Sequence, residues 1–433
     1  MDTLRALGDS EVRPPVLLTM AGYHGSLAAL RCLGRAGISV TVAADRFGLP
    51  AAWSRWTRRR VRCPDVRDAE QFIDWLLEFG SREPGYVLYP TSDDLAYLFA
   101  LHRDLLVPWF RLYQPPLATI LGLLDKKSLI EAAERAGIET PRTYFAGDDA
   151  ELEWIARNAR FPLLIKPRTQ VLFRTRNKGV RVERQTDLTR AYHAYVRANS
   201  YLPLLLRERS DIARPMLQEY ECGAETNTES VAGFVDESGE LFVVRGARKM
   251  LQYPRRAGIG VCFEDAEVDP DGVRSIAALC RETGYFGVFE SEFIRVNGRR
   301  LLIDFNPRYY NQMAFEIARG LPLPLLTYAA AIGDREWLRQ TVCAAHSTVT
   351  PGPTAWCHRF VFWMLVGSQR LSRSASADEV RKWRAWFEEH RSRIVDPAVE
   401  GDDRLPGLMD VLLQLRPLLS HPRAFLRATA LAG

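Results

Sequence analysis

The chain is 433 residues long, 47% hydrophobic and 26% charged, with a formal net charge of +5. This is the make-up of an ordinary globular protein too long for a single core; it excludes a disordered, fibrous or disulfide-framed chain and implies about two to four domains. The seven cysteines show no CxxC spacing and are expected as reduced thiols; with no apolar secretory segment at the N-terminus, a cytoplasmic protein is expected.

The longest mostly apolar stretch, LPLPLLTYAAAIG from Leu321, is too short to span a bilayer, so no membrane partner is expected. One dense basic run, RWTRRRVR at 55–62, stands alone, with no second cluster of interleaved aromatics. It reads as a solvated face or an anion contact, and no nucleic-acid partner is expected.

In chain order, PVLLTMAGYHGSLAALRCLGRAGISVTVAAD predicts a strand at 16–20, a glycine turn at Gly22 and Gly25, an amphipathic helix from 27 to about 35, and a second strand at 39–43. That βαβ order predicts a parallel sheet. GYVLYPTSDD adds a strand running into Thr91-Ser92-Asp93, the signature of a helix N-cap. A small doubly wound α/β domain is therefore expected over 13–115. LLDKKSLIEAAERAGIETPRTYF predicts a helix starting at Asp125 and stopping at Gly137. FPLLIKPR is a strand ending in Lys166-Pro167-Arg168, where the lysine reads either as a sheet-edge residue or as a placed cation.

From 216 onward the patterning becomes antiparallel. Strands at 231–235 and 241–245 flank an Asp-Glu-Ser-Gly turn, and GYFGVFESEFIRVNGRRLLIDFNPR forms a hairpin turning at Asn297-Gly298. The segment 116–335 is expected as an α+β core, and 336–433 as a mostly helical C-terminal region. FVFWMLVG at 360–367 reads as a buried strand or helix.

The end of the second hairpin carries the chemistry. Asp304 and Asn306 are two apart on an apolar strand, so both point to one face while Ile303 and Phe305 point to the other. Two oxygen donors side by side read either as a strand running out into a loop or as half of a site for a hard divalent cation. A plain two-residue turn at Asn297-Gly298 would set Glu292 against Ile303 and Asp304 against Ser291, on opposite faces of the sheet. Shared ligation by Glu292 and Asp304 therefore requires a three-residue loop or a β-bulge, with Glu290, Glu292, Asp304 and Asn306 all on the cleft side.

Asp125-Lys126, LLIKPR, QEYECG, ARKMLQYP and EF…IDFNPR, in this order, resemble the ATP-grasp superfamily, and within it carboxylate–amine ligases of the D-aspartate ligase-like type. The resemblance runs from about residue 15 to 335. It implies an α/β protein with a Rossmann-like pre-ATP-grasp domain, a two-lobed ATP-grasp core hinged near 216–222, and a helical C-terminal extension. It also implies ATP and Mg2+ (or Mn2+) as cofactors. Lys166 matches the lysine that contacts the nucleotide phosphates, with Lys126 a looser second. Gln218, Glu219, Tyr220 and Glu221 match the hinge that reads adenine, and Glu221 or Glu225 the ribose ligand. Lys249 matches a lysine approaching the γ-phosphate, Arg308 an arginine facing the transferring phosphoryl group, and Glu292, Asp304 and Asn306 the metal ligands. In place of a glycine-rich phosphate loop the chain has VLFRTRNKGV, so Arg174, Arg176 and Lys178 are expected on a basic lid.

These residue types suit phosphoryl transfer, which asks a protein chiefly to position groups and neutralise spreading negative charge. The function implied is an ATP-dependent ligase, joining a small carboxylate to an amine through an acyl phosphate. The alternatives are a bicarbonate-activating carboxylase-type enzyme and an ATP-binding regulatory protein. Arg168 is a further candidate for holding an anion, and Gly22-Tyr23-His24-Gly25 and Tyr309-Tyr310-Asn311-Gln312 are expected to border the substrate pocket. His24 reads equally as a turn residue. A homodimer is compatible with the C-terminal region, whose role no motif reveals.

Overall fold

The structure, a computed structural model, describes residues 13–46, 48–174, 179–221, 227–253, 259–347, 353–371 and 374–420. The N-terminal sheet is parallel. Its strands β1 (Val16–Leu18), β2 (Val40–Ala44), β3 (Thr57–Arg62), β4 (Tyr86–Leu88) and β5 (Phe110–Leu112) lie in the order β3-β2-β1-β4-β5. Val16, Leu17 and Leu18 in the centre are all buried, as a strand covered on both faces must be. The arginines of 55–62 mostly lie on the exposed edge strand β3, where Arg59 pairs with Glu83 at 2.5 Å.

Gly25 opens the helix His24–Arg35 where it runs against the central domain: a Cβ there would come within 2.5 Å of the Tyr310 carbonyl oxygen. Ser92 caps the helix Asp93–Leu101 by accepting from the Leu95 amide at 3.2 Å, and Asp125 caps the helix Lys126–Arg135. Both starts match the sequence expectation.

Six short strands follow: β6 (Thr143–Tyr144), β7 (Leu163–Lys166), β8 (Phe173–Arg174), β9 (Val180–Val182), β10 (Ser200–Tyr201) and β11 (Met216–Glu219). β8 and β10 pair with each other, and the rest form a sheet in the order β6-β11-β7-β9. β7 lies inside that sheet, so Lys166 is not an edge lysine.

The largest sheet has seven strands, ordered β16-β15-β12-β13-β14-β17-β18. Its members are β12 (Thr228–Val235), β13 (Phe242–Tyr253), β14 (Ile259–Ala266), β15 (Gly287–Val296), β16 (Arg299–Asn306), β17 (Ala355–Cys357) and β18 (Ile394–Val395). The C-terminal region is mostly helical, with 360–367 inside the helix Arg359–Leu371, yet its two short strands extend this sheet.

The hairpin β15–β16 settles the register. Its turn is the plain two-residue kind, with Asn297 at φ 51° and Gly298 at φ 77°, so the three-residue loop is not used. A bulge does the work instead. Pairing runs Val296–Arg299 through Phe293–Leu302, then jumps to Glu292–Asp304 and Glu290–Asn306, leaving Ile303 as the extra residue. Phe289, Phe293 and Phe305 lie on the other side, at most 2% exposed, with Phe289 and Phe305 stacked at 5.4 Å. Slipping the strand by one residue would expose these rings, each worth about 3–5 kcal/mol against alanine, which pins the bulge in place.

Candidate active site

Directly opposed strand residues share a face, so the bulge brings Glu292 and Asp304 side by side, with Glu290 and Asn306 next along. β13 adds Lys249 on the same side, its Nζ 3.0 Å from Glu292. From the helix Lys126–Arg135, Lys126 reaches across and donates to Asp304. Lys166 comes from the smaller sheet and donates to Gln218 Oε1 at 3.1 Å. Arg308, just past β16, donates to Asp93 at 2.7 Å, to the Tyr309 carbonyl at 3.1 Å and to Asn306 Oδ1 at 2.8 Å.

The electrostatics tie these groups into one cluster. Burial pulls the Lys166 ammonium down to about 8, helped by nearby Lys126 and opposed by Asp304 and Glu292. Burial works to raise the Asp304 carboxyl, but Lys126 and Arg308 hold it below its ordinary value. Burial also works against the Arg308 charge, which Asp93 and Asp304 keep in place. Glu290 is pushed up to about 7, first by burial and then by the Glu292 charge.

Glu290 is locked by three neighbours: it accepts from Ser230, from Asn306 Nδ2 at 2.7 Å and from Gln312 Nε2 at 3.0 Å. This fixes the Asn306 amide with its oxygen turned towards Arg308. Glu292, Asp304 and that oxygen form an all-oxygen donor set, the chemistry that Mg2+ prefers, and the residues fit such an ion.

The residues expected at a hinge, 218–221, divide. Gln218 shares the Lys166 side and also donates to Thr143 Oγ1 at 3.1 Å. Glu219 is 6% exposed and points the other way, accepting from Tyr144 Oη at 2.8 Å and from the Arg160 amide at 3.1 Å. Glu221 accepts from Arg160 at 2.8 Å, and Arg181 stacks on the Tyr220 ring at 4.1 Å. Glu219 and Glu221 line a cavity of about 440 Å³ together with Arg142, Arg160 and Arg299. Lys178, Arg176 and Glu225 lie outside the described residues. The described start of the expected lid segment is anchored, with Val171 and Leu172 buried and the Leu172 amide donating to Asp94 at 2.7 Å.

Three expectations are corrected. Arg168 is not a free anion holder: its guanidinium donates to Asp125 at 2.8 and 2.5 Å and to Asp211 at 2.7 Å, a buried structural knot. Tyr309 and Tyr310 are buried and hydrogen-bonded to Thr327 and Glu316, so they pack the core. His24 turns away from the cleft towards Asp410, 3.1 Å distant, while its neighbour Tyr23 stays 46% exposed.

The residue missed by sequence reasoning is Asp93. Its signal was present: Ser92 already supplies the cap, which leaves the Asp93 side chain at the first helical position free for Arg308.

A scan against models of protein families and a search of curated proteins found no match. Solved structures do match. Biotin carboxylase from Campylobacter jejuni, in its β-γ-ATP complex, aligns at a TM-score of 0.56 and 15% identity, over 78% of this chain and 72% of that one. The biotin carboxylase domain of Hydrogenobacter thermophilus 2-oxoglutarate carboxylase, with MgADP and bicarbonate, aligns at 0.60 and 16%, over 75% and 71%. An L-amino acid ligase from Bacillus licheniformis aligns at 0.55 and 16%, over 76% and 77%. The chain has the ATP-grasp fold.

Proposed function

We propose that the protein is an ATP-dependent carboxylate–amine ligase. The observation that carries this reading is the convergence of Lys126, Lys166, Lys249 and Arg308 on the oxygen donors Glu292, Asp304 and Asn306 at one cleft. Lys126 and Lys166 approach from one side and Lys249 from the large sheet, a clamp suited to a triphosphate. Lys126 pairs with Asp304 and Lys249 with Glu292. The phosphates of ATP would compete for these lysines and leave the carboxylates to hold a cation. Mg2+ held by Glu292, Asp304 and Asn306 would supply Lewis-acid neutralisation of the β- and γ-phosphates.

In the reaction an oxygen of the substrate carboxylate attacks the γ-phosphorus, and the β–γ bridging oxygen leaves with the bonding pair as ADP. The amine nitrogen of the second substrate then attacks the acyl carbon. The bond to the phosphate oxygen breaks, phosphate leaves with the electron pair, and the nitrogen sheds one proton. Arg308, oriented by Asp93 and Asn306, is placed to hold the phosphoryl group in transit. Glu290 keeps the Asn306 amide turned the right way.

The test is release of ADP and phosphate across paired carboxylic acids and amines, with bicarbonate as a separate arm. Turnover that needs both an acid and an amine is expected. ADP release with bicarbonate and no carboxylic acid would assign the carboxylase class instead. ATP binding without ADP release in every arm would assign a regulatory role.

A further inference from the structure

On the far side of the glycine turn, His24, His358 and Asp410 meet in the seam between the N-terminal domain and the C-terminal region. They come from three distant parts of the chain and are 9%, 5% and 1% exposed. His24 Nε2 lies 3.1 Å from Asp410 Oδ1, and His358 Nε2 lies 3.0 Å from Asp410 Oδ2. The second approach is an ion-pair distance outside hydrogen-bond geometry, and among the described residues the buried His358 Nε2 and Asp410 Oδ2 have no well-aligned hydrogen-bond partner. Two buried polar atoms that close without a well-aligned hydrogen bond are costly unless a third body satisfies both.

We propose that His24, His358 and Asp410 bind a transition-metal dication of the zinc class. Two imidazole nitrogens and a carboxylate are a donor set that zinc takes readily and magnesium does not. The ligand atoms all lie within 4.8 Å of one another. Ligands about 2.0–2.2 Å from a tetrahedral ion sit about 3.4 Å apart, so no pair needs to close by more than about 1.4 Å on binding. His358 and Asp410 also line a cavity of about 520 Å³, bounded by Trp363, Phe387 and Val399, from whose side a water or small ligand would complete the coordination. Ligation through Nε2 moves the His358 ring proton to Nδ1, where the Val361 amide is 3.4 Å away. That contact is at the long limit of hydrogen bonding, so little is lost. The ion would clamp the helix Leu405–Ser420 to the loop that carries Tyr23, beside Arg308 and the acidic pair Asp93 and Asp94.

The test uses the full chain, purified without chelator or histidine tag and free of nucleotide. Elemental analysis should find about one zinc ion per chain, and cobalt(II) added to chelator-stripped protein should give the intense visible bands of a four-coordinate site. His358→Ala and Asp410→Asn should each weaken cobalt binding roughly tenfold or more, while Glu292→Gln with Asp304→Asn should leave the bands unchanged. Should a seam variant fail to fold, zinc titration of the stripped wild type still decides: a rise in Tm is expected. Stripped wild type with no cobalt bands and no zinc-dependent Tm shift would overturn the site, as would bands lost with the Glu292/Asp304 pair.

Discussion

Arg31 in the seam and the three lysines of the cleft all carry positive charge into the protein, but in different company. Arg31 is 1% exposed and every one of its guanidinium nitrogens has a partner: Asp403 at 2.9 Å, the Pro397 and Ala398 carbonyls at 3.1 and 2.9 Å, and the Asp403 carbonyl at 3.0 Å. Lys126, Lys166 and Lys249 each have three donors and, among the described residues, one side-chain hydrogen-bond partner apiece. A saturated buried charge fixes architecture; a charge with donors to spare awaits a ligand. Arg168 falls on the saturated side, which is why a basic residue beside Lys166 in sequence is no part of the site.

The contrast is broken most directly at Arg31. Arg31→Ala leaves Asp403 buried without its main counter-charge and should lose about 3–5 kcal/mol of stability in denaturant titration. Unchanged unfolding would show that saturation is not what holds the seam. In the cleft the effects should move from stability to turnover. Lys249→Ala and Lys166→Ala are each expected to lower turnover about 10²–10³-fold, comparable to removing one strong transition-state donor, with little change in Tm. The double variant should lose less than the product of the singles, because both lysines hold one triphosphate. Variants that turn over normally would remove them from the site.

Acidity sharpens the comparison next. Lys166 is pulled down to about 8 from 10.5, so between those values the unfolded chain binds the extra proton. Its contribution to stability therefore rises with pH in that window, whereas nucleotide affinity falls there, by about tenfold for one lost charged contact. Lys166→Met should abolish both trends, and an affinity flat from pH 7 to 10 in the wild type would contradict the assignment. The smallest effect lies at the hairpin tip. Gly298→Ala, at φ 77°, should destabilise by about 1 kcal/mol without altering turnover, since the bulge and not the turn sets the register at Asp304. Loss of activity in that variant would return the register to the turn.

The sequence alone determined what depends on near neighbours. Strand alternation placed Asp304 with Asn306 and opposite Phe305, the caps at Ser92 and Asp125 were readable, and Lys166 stood out at the end of an apolar strand. The same alternation showed that Glu292 and Asp304 needed a register change, without saying whether a longer turn or a bulge would provide it. Only the tertiary structure chose the bulge at Ile303, because the choice rests on which rings the far side of the sheet must bury. It also turned Glu219 away from Gln218, tied Arg168 to Asp211, set Asp93 on Arg308 215 residues away, and brought His24 to Asp410 across 386 residues. Local spacing fixes which way a side chain points from its own strand or helix. Which partner it meets there is decided by how distant elements pack, and no local pattern encodes that.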